Sequence, residues 1–175
     1  MPGTREGLVT PPSQPSDVTG MGLPSLPGRY VLLLTVPSTR GLITKRGCCF
    51  VLDPGVYAYV GSASGPGGLR ARLGRHLTKT KRRHWHVDYL LTVASPLGAI
   101  CLPPSLGECQ LANLVASLPG SLPIFGFGCS DCHCRAHLYR SEEQQSIPSF
   151  AHALGIEATR QGQALEVLCQ CEFPA

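Results

Sequence analysis

Residues 59–76 read YVGSASGPGGLRARLGRH, a short apolar strand running into a glycine-rich turn that opens a helix with Arg70, Arg72, Arg75 and His76. Main-chain N–H groups, a helix N-terminus and guanidinium groups converge here, and all three attract phosphate oxygens. The segment reads as a site for phosphodiester chemistry. At about 100° per residue, Leu69, Leu73 and Leu77 form one apolar stripe, flanked by Arg72 and His76 as an i, i+4 pair. Arg70 and Arg75 project into solvent. Arg72, held at the edge of the core, is placed to brace a phosphate as charge builds on it, or to bridge to a carboxylate. His76 is a candidate base, because imidazole titrates near neutrality.

Charge around this helix is one-sided. Arg70, Arg72, Arg75, Lys79, Lys81, Arg82 and Arg83 are seven of the fifteen basic residues, and no acid interrupts them before Asp88. Such a field draws in polyanions; the alternative is a solvated helix face. The His84-Trp85-His86-Asp88 stretch follows. If extended, it turns His84, His86 and Asp88 one way, as a second metal or phosphate site. Asp88 can instead cap the next helix, and Trp85 can either stack on a base or fill the core.

Two further groups carry chemistry. Glu108 shares the apolar face of a helix with Leu111, Ala112 and Val115, where a carboxylate needs a metal, an arginine or hydrogen bonds. Mg²⁺ favours such oxygen ligands, while a glutamate in a first helical turn also suits the helix dipole. Cys129, Cys132, Cys134 and His137 are candidate zinc ligands: Cys129-x₂-Cys132 has the usual spacing, whereas Cys132-x-Cys134 is tighter. The alternative is a tight loop of buried thiols.

These residues need a scaffold. Residues 28–36 (GRYVLLLTV), 48–52 (CCFVL) and 56–61 (VYAYVG) read as strands joined by turns in a small antiparallel meander, with Tyr57 and Tyr59 on one face of the third. A short helix is expected near Asp88 to Val93, a strand over 96–104, a helix over 107–118 and another around Gln163 to Cys169. Residues 1–27, with six prolines, read as a disordered leader. The folded domain is expected over 28–140, with 141–175 as an extension.

The 175 residues suffice for one domain. No apolar run approaches the length of a membrane span, so no membrane partner is expected. Nine cysteines, with no signal-like leader, suggest free or metal-bound thiols in a reducing compartment, cytoplasm or nucleus.

Gly28-Arg29-Tyr30, Tyr59-Val60-Gly61, Arg72 and Glu108 resemble the signature of GIY-YIG nucleases. The strings GxYVLLL, GVYAYVGSASGPGGLRARLGRH, HWHVDYLL, ECQLA and GFGCSDCHCRAHL resemble an archaeal and bacterial branch of that superfamily, over about residues 27–140. Gly55-Val56-Tyr57 imitates the first motif. It shares a strand with Tyr59, however, while the two tyrosine motifs usually lie on neighbouring strands, which favours Gly28-Arg29-Tyr30. The resemblance implies an α/β fold of the α+β type, a mainly antiparallel sheet with helices around it. It also implies a metal-dependent endonuclease acting on DNA, in a repair-type role, with RNA as a further candidate substrate. Glu108 would hold one Mg²⁺ or Mn²⁺, Arg72 would stabilise developing charge, and Tyr30 and Tyr59, or His76, would position or deprotonate water. Arg70, Arg75, Lys79, Lys81, Arg82, Arg83, His84 and Trp85 would contact nucleic acid. Many family nucleases carry a lysine just after the second motif, where this chain has Ser62. That departure motivates an alternative, a nucleic-acid-binding module that cuts poorly; a third reading is a zinc-stabilised interaction protein.

Overall fold

The computed structural model describes residues 22–142 and 146–174. The strands are β1 (Gly28–Val36), β2 (Arg40–Ile43), β3 (Cys49–Leu52), β4 (Gly55–Ala63), β5 (Ser95–Leu102), β6 (Ser121–Pro123), β7 (Leu138–Ser141) and β8 (Cys169–Glu172). The helices are α1 (Gly68–Leu77), α2 (His86–Leu90), α3 (Glu108–Ala116) and α4 (Ile147–Arg160). Six strands form one sheet in the order β6-β7-β4-β1-β5-β8, and every neighbouring pair is antiparallel. The expected mixed fold with a mainly antiparallel sheet is what the chain adopts.

Helices cover both faces of this sheet. Leu69 and Leu73 of α1 and Val87 and Leu90 of α2 pack with Tyr30, Leu32, Leu34, Tyr57 and Tyr59. Leu111 and Val115 of α3 and Phe150 and Leu154 of α4 pack with Val31, Leu33, Ala58 and Val60. Central strand β1 is therefore apolar at consecutive positions, and Val31 to Leu34 are wholly buried. A strand covered on both sides loses the usual alternation.

Four expectations are corrected. Residues 49–52 do not join a meander with β1 and β4; they pair with β2 in a separate two-stranded sheet, and β4 pairs directly with β1. The β2–β3 hairpin lies between β1 and β4 in the chain. The segment expected as a helix near 163–169 instead leads into β8, which hydrogen-bonds to β5 at the sheet edge. With α4 and β8 built into the core, the folded unit does not stop at 140. Residues 1–21 of the expected leader lie outside the described residues, but Leu23 is 1 % exposed and packs into the α1 side of the core.

That last contact alters the glycine-rich turn. The amides of Leu69 and Arg70 donate to Leu26 O and Pro24 O at 3.0 Å each, while Gly68 and Ala71 donate to Gly65 O and Gly67 O. The first-turn N–H groups of α1, unpaired in an isolated helix, are all satisfied from within the chain. Gly68 has φ +54°, and a Cβ there would collide with the Leu26 backbone. The helix N-terminus is thus closed by residues 23–26 and offers no open cradle for a phosphate.

Candidate functional site

The site instead forms farther along α1. Tyr30, Tyr59, Gly61, Ser62, Arg72, Trp85, His86, Glu108 and Asp131 line a cleft of about 160 Å³. Antiparallel pairing sets Tyr30 opposite Gly61 and Tyr59 opposite Leu32, leaving the two tyrosine rings 6.4 Å apart. Gly61 has a steric reason to be glycine: a Cβ there would run into the Tyr30 ring and hydroxyl. The helical phase that set Arg72 and His76 on the flank of the leucine stripe places Arg72 half-buried in the cleft wall and His76 beneath it.

One wall is aromatic and cationic. The Tyr30 hydroxyl and His76 Nε2 are 2.8 Å apart. Burial, and then Lys81, push the His76 imidazole down to about 3. His76 is therefore neutral at ordinary pH, and one hydrogen bond joins it to the Tyr30 hydroxyl. It sits behind the tyrosine and does not line the cleft, which corrects its expected role as the direct base. Burial raises Tyr30 well above the usual phenol range, and the charge of Tyr59 adds to this; Arg72 opposes it. Tyr59 is raised likewise by burial and Glu108. Both are phenols at neutral pH.

Arg72 stacks on Trp85, its guanidinium carbon 4.4 Å from the ring centre. Trp85 is 42 % exposed, so it is not a core residue. Its backbone is fixed by Asp88, which accepts from the amides of His84 (2.9 Å) and Trp85 (3.0 Å) and caps α2. Asp88 is buried and also receives Arg75 in a fork, at 2.8 Å to Oδ1 and 3.0 Å to Oδ2. Burial would raise its pKa, but Arg75 and the two amides outweigh that and hold it below the usual range. The His84–His86–Asp88 metal site expected from an extended stretch is thus replaced by a helix cap.

The basic run divides accordingly. Arg75 is not free in solvent, and Lys81 donates to Arg75 O (2.9 Å) and His76 O (2.6 Å) at the end of α1. Arg70 is exposed, yet its Nε donates to Leu23 O at 2.9 Å. Lys79, Arg82, Arg83 and His84 are exposed, and Arg83 lies over Tyr89. These four and Trp85 form the accessible part of the expected nucleic-acid surface.

The opposite wall is acidic and sulfur-rich. Glu108, at the start of α3, is 31 % exposed at its side chain, and His137 Nδ1 approaches its Oε1 to 2.9 Å. The imidazole N–H is not aligned along that line, so the contact is an ion pair more than a hydrogen bond. Burial would raise the Glu108 pKa, but His137, the Ser62 hydroxyl and Arg29 prevail and lower it. Ser62 lines the same cleft beside this carboxylate.

Behind Glu108, the ligand atoms of Cys109, Cys132, Cys134 and His137 lie within 4.8 Å of one another and could hold a metal ion. This revises the expected set. Cys129 directs its thiol to Phe127 O at 3.4 Å and is replaced by Cys109, from the first turn of α3. Cys109 is far from the other three in sequence, and its one signal was an unexplained cysteine beside Glu108. Also missed was Phe127, wholly buried, whose ring packs edge-on to Tyr59 at 6.2 Å and anchors the loop. Among the described residues, no helix is long and apolar enough to cross a membrane.

A model of the family described as domain of unknown function DUF123 matches residues 29–158. No curated protein and no solved structure matches the chain.

Proposed function

We propose that this chain, which belongs to the DUF123 family, is a metal-dependent endonuclease that hydrolyses DNA phosphodiester bonds in a GIY-YIG-like cleft. One observation carries the reading. Tyr30 from β1, Tyr59 from β4, Arg72 from α1 and Glu108 from α3, far apart in sequence, line the same cleft.

Each group has a chemical task. Glu108, with the Ser62 hydroxyl and Asp131 on the cleft wall, offers hard oxygen donors suited to Mg²⁺ or Mn²⁺. When bound, such an ion supplies charge stabilisation at the phosphate and acidifies a water. Arg72, oriented by its stack on Trp85, presents a planar fork to the phosphate oxygens as charge accumulates. Tyr30 orients the nucleophilic water. The His76 Nε2 atom 2.8 Å away fixes the direction of that hydroxyl, and the proton of the attacking water, acidified by the bound ion, would pass to solvent. Trp85 and His84 give a stacking platform for a displaced base, and Lys79, Arg82 and Arg83 contact flanking phosphates.

The test is cleavage of branched, nicked and single-stranded DNA, and of RNA, with Mg²⁺ or Mn²⁺. Wild type should cut at least one DNA substrate, with loss in Glu108→Ala and in Arg72→Ala. Cleavage indifferent to both changes, or none by clean wild type, sinks the nuclease reading. DNA binding without cleavage would favour the second reading, a binding module, for which Ser62 in place of a lysine is the motivating observation.

A further inference from the structure

We infer that Cys109, Cys132, Cys134 and His137 bind a zinc ion, and that this zinc acts through His137 to hold the Glu108 carboxylate in place. The catalytic meaning of that bracing rests on the nuclease reading; the zinc site does not.

The donor set comes first. Three thiols and one imidazole have ligand atoms within 4.8 Å of one another. Tetrahedral zinc, with Zn–S of about 2.3 Å, sets its sulfurs about 3.8 Å apart. Modest side-chain closure brings the cluster to that geometry. Thiolate-rich sets of this kind select zinc over the hard cations that suit Glu108, so the two centres are chemically distinct. On binding, three thiols release their protons to solvent as three Zn–S bonds form.

The scaffold fits a closed structural site. Cys109 comes from α3, whereas Cys132, Cys134 and His137 come from the turn-rich stretch before β7. That stretch holds little of the core beyond Phe127 and Ala136. Backbone bonds already pin its two ends, His137 N–H to Phe127 O and Val60 N–H to His137 O, each at 2.8 Å. A metal joining its middle to α3 supplies the cohesion that its sequence lacks.

His137 couples the two centres. It is 2 % exposed, with Nε2 3.4 Å from Cys132 Sγ and Nδ1 2.9 Å from Glu108 Oε1. Ligation through Nε2 leaves the proton on Nδ1, the ring atom nearest the carboxylate, and a small turn of the ring would align the two. This is the carboxylate–histidine–zinc arrangement, in which the outer partner fixes ring orientation. Here the outer partner is the residue proposed to hold the second metal.

The experiment uses the full chain purified without chelator. Metal analysis should find about one zinc per chain, and Co²⁺ exchanged into wild type should show tetrahedral visible bands with thiolate charge transfer. Cys109→Ser, at an exposed position, should lower zinc affinity by tenfold or more. His137→Cys, which keeps four zinc ligands, should retain zinc but weaken Mn²⁺ binding at Glu108, read by paramagnetic resonance, by about 10–100-fold. A metal-free chain, iron in place of zinc, or zinc indifferent to Cys109→Ser overturns the site. Unchanged Mn²⁺ affinity in His137→Cys overturns the bracing. None of these readouts is cleavage, so a failure of the nuclease reading is seen separately.

Discussion

Two buried histidines stand behind opposite walls of the cleft, and their neighbours give them opposite characters. His76 is held neutral first by burial and then by Lys81, Arg72 and Arg75, against the opposing charge of Asp88. His137 lies against Glu108 and Cys132; burial disfavours its charged form, yet those partners prevail and raise its pKa. Burial disfavours the charged form of both; at His76 the nearby cations add to it, whereas at His137 the carboxylate and thiol overcome it. One wall is suited to bracing an anion, and the other to holding cations.

The largest expected effect separates the walls. Glu108→Ala should abolish both cleavage and Mn²⁺ binding. Arg72→Ala should cut the rate by about 10²–10³-fold while leaving Mn²⁺ affinity unchanged. If both variants lose metal together, the division of labour is wrong. Next, Gly61→Ala puts a methyl against the Tyr30 ring and should cost about 1–3 kcal/mol of stability by urea titration. It should disturb the Tyr30–His76 pair and spare zinc content.

A pH titration addresses His76 directly. Its folded pKa, about 3, lies below the ordinary value of 6.5, so the unfolded chain takes up a proton first. Its contribution to stability is full above about pH 6.5 and declines as pH falls toward 3. His86, also lowered by burial, adds to this slope. Asp88, with a lowered pKa, adds its own loss only once the pH reaches the carboxylate range. His76→Gln should flatten the slope between pH 6.5 and 5 in denaturant titrations; an unchanged slope refutes the neutral assignment. The smallest effect belongs to the surface. Lys79→Ala or Arg83→Ala should weaken DNA binding uniformly and reduce its salt slope by about one each, whereas Arg75→Ala should chiefly destabilise the fold through Asp88.

Local pattern made β1, β4, β5, α1 and α3 legible, because their apolar periodicity matches their burial. Helical phase placed Arg72 and His76 correctly against the leucine stripe, and strand alternation set Tyr57 and Tyr59 together. The strand β8 was illegible: Cys169–Glu172 is a short, polar edge segment whose conformation comes from pairing with β5. The pairing of β3 with β2 instead of β4 was equally hidden, since register depends on partners and not on propensity.

By itself, then, the sequence determined the types of β1, β4, β5, α1 and α3, the basic stretch, and which side of α1 faces inward, all consequences of period and composition within a few residues. Tertiary structure decided what each polar group meets. It plugged the α1 N-terminus with residues 23–26, turned Arg75 toward Asp88, lowered His76 by burial, and exchanged Cys129 for Cys109. Charge state and ligand geometry depend on contacts a few ångströms long between residues far apart in the chain, and such distances exist only once the chain has folded.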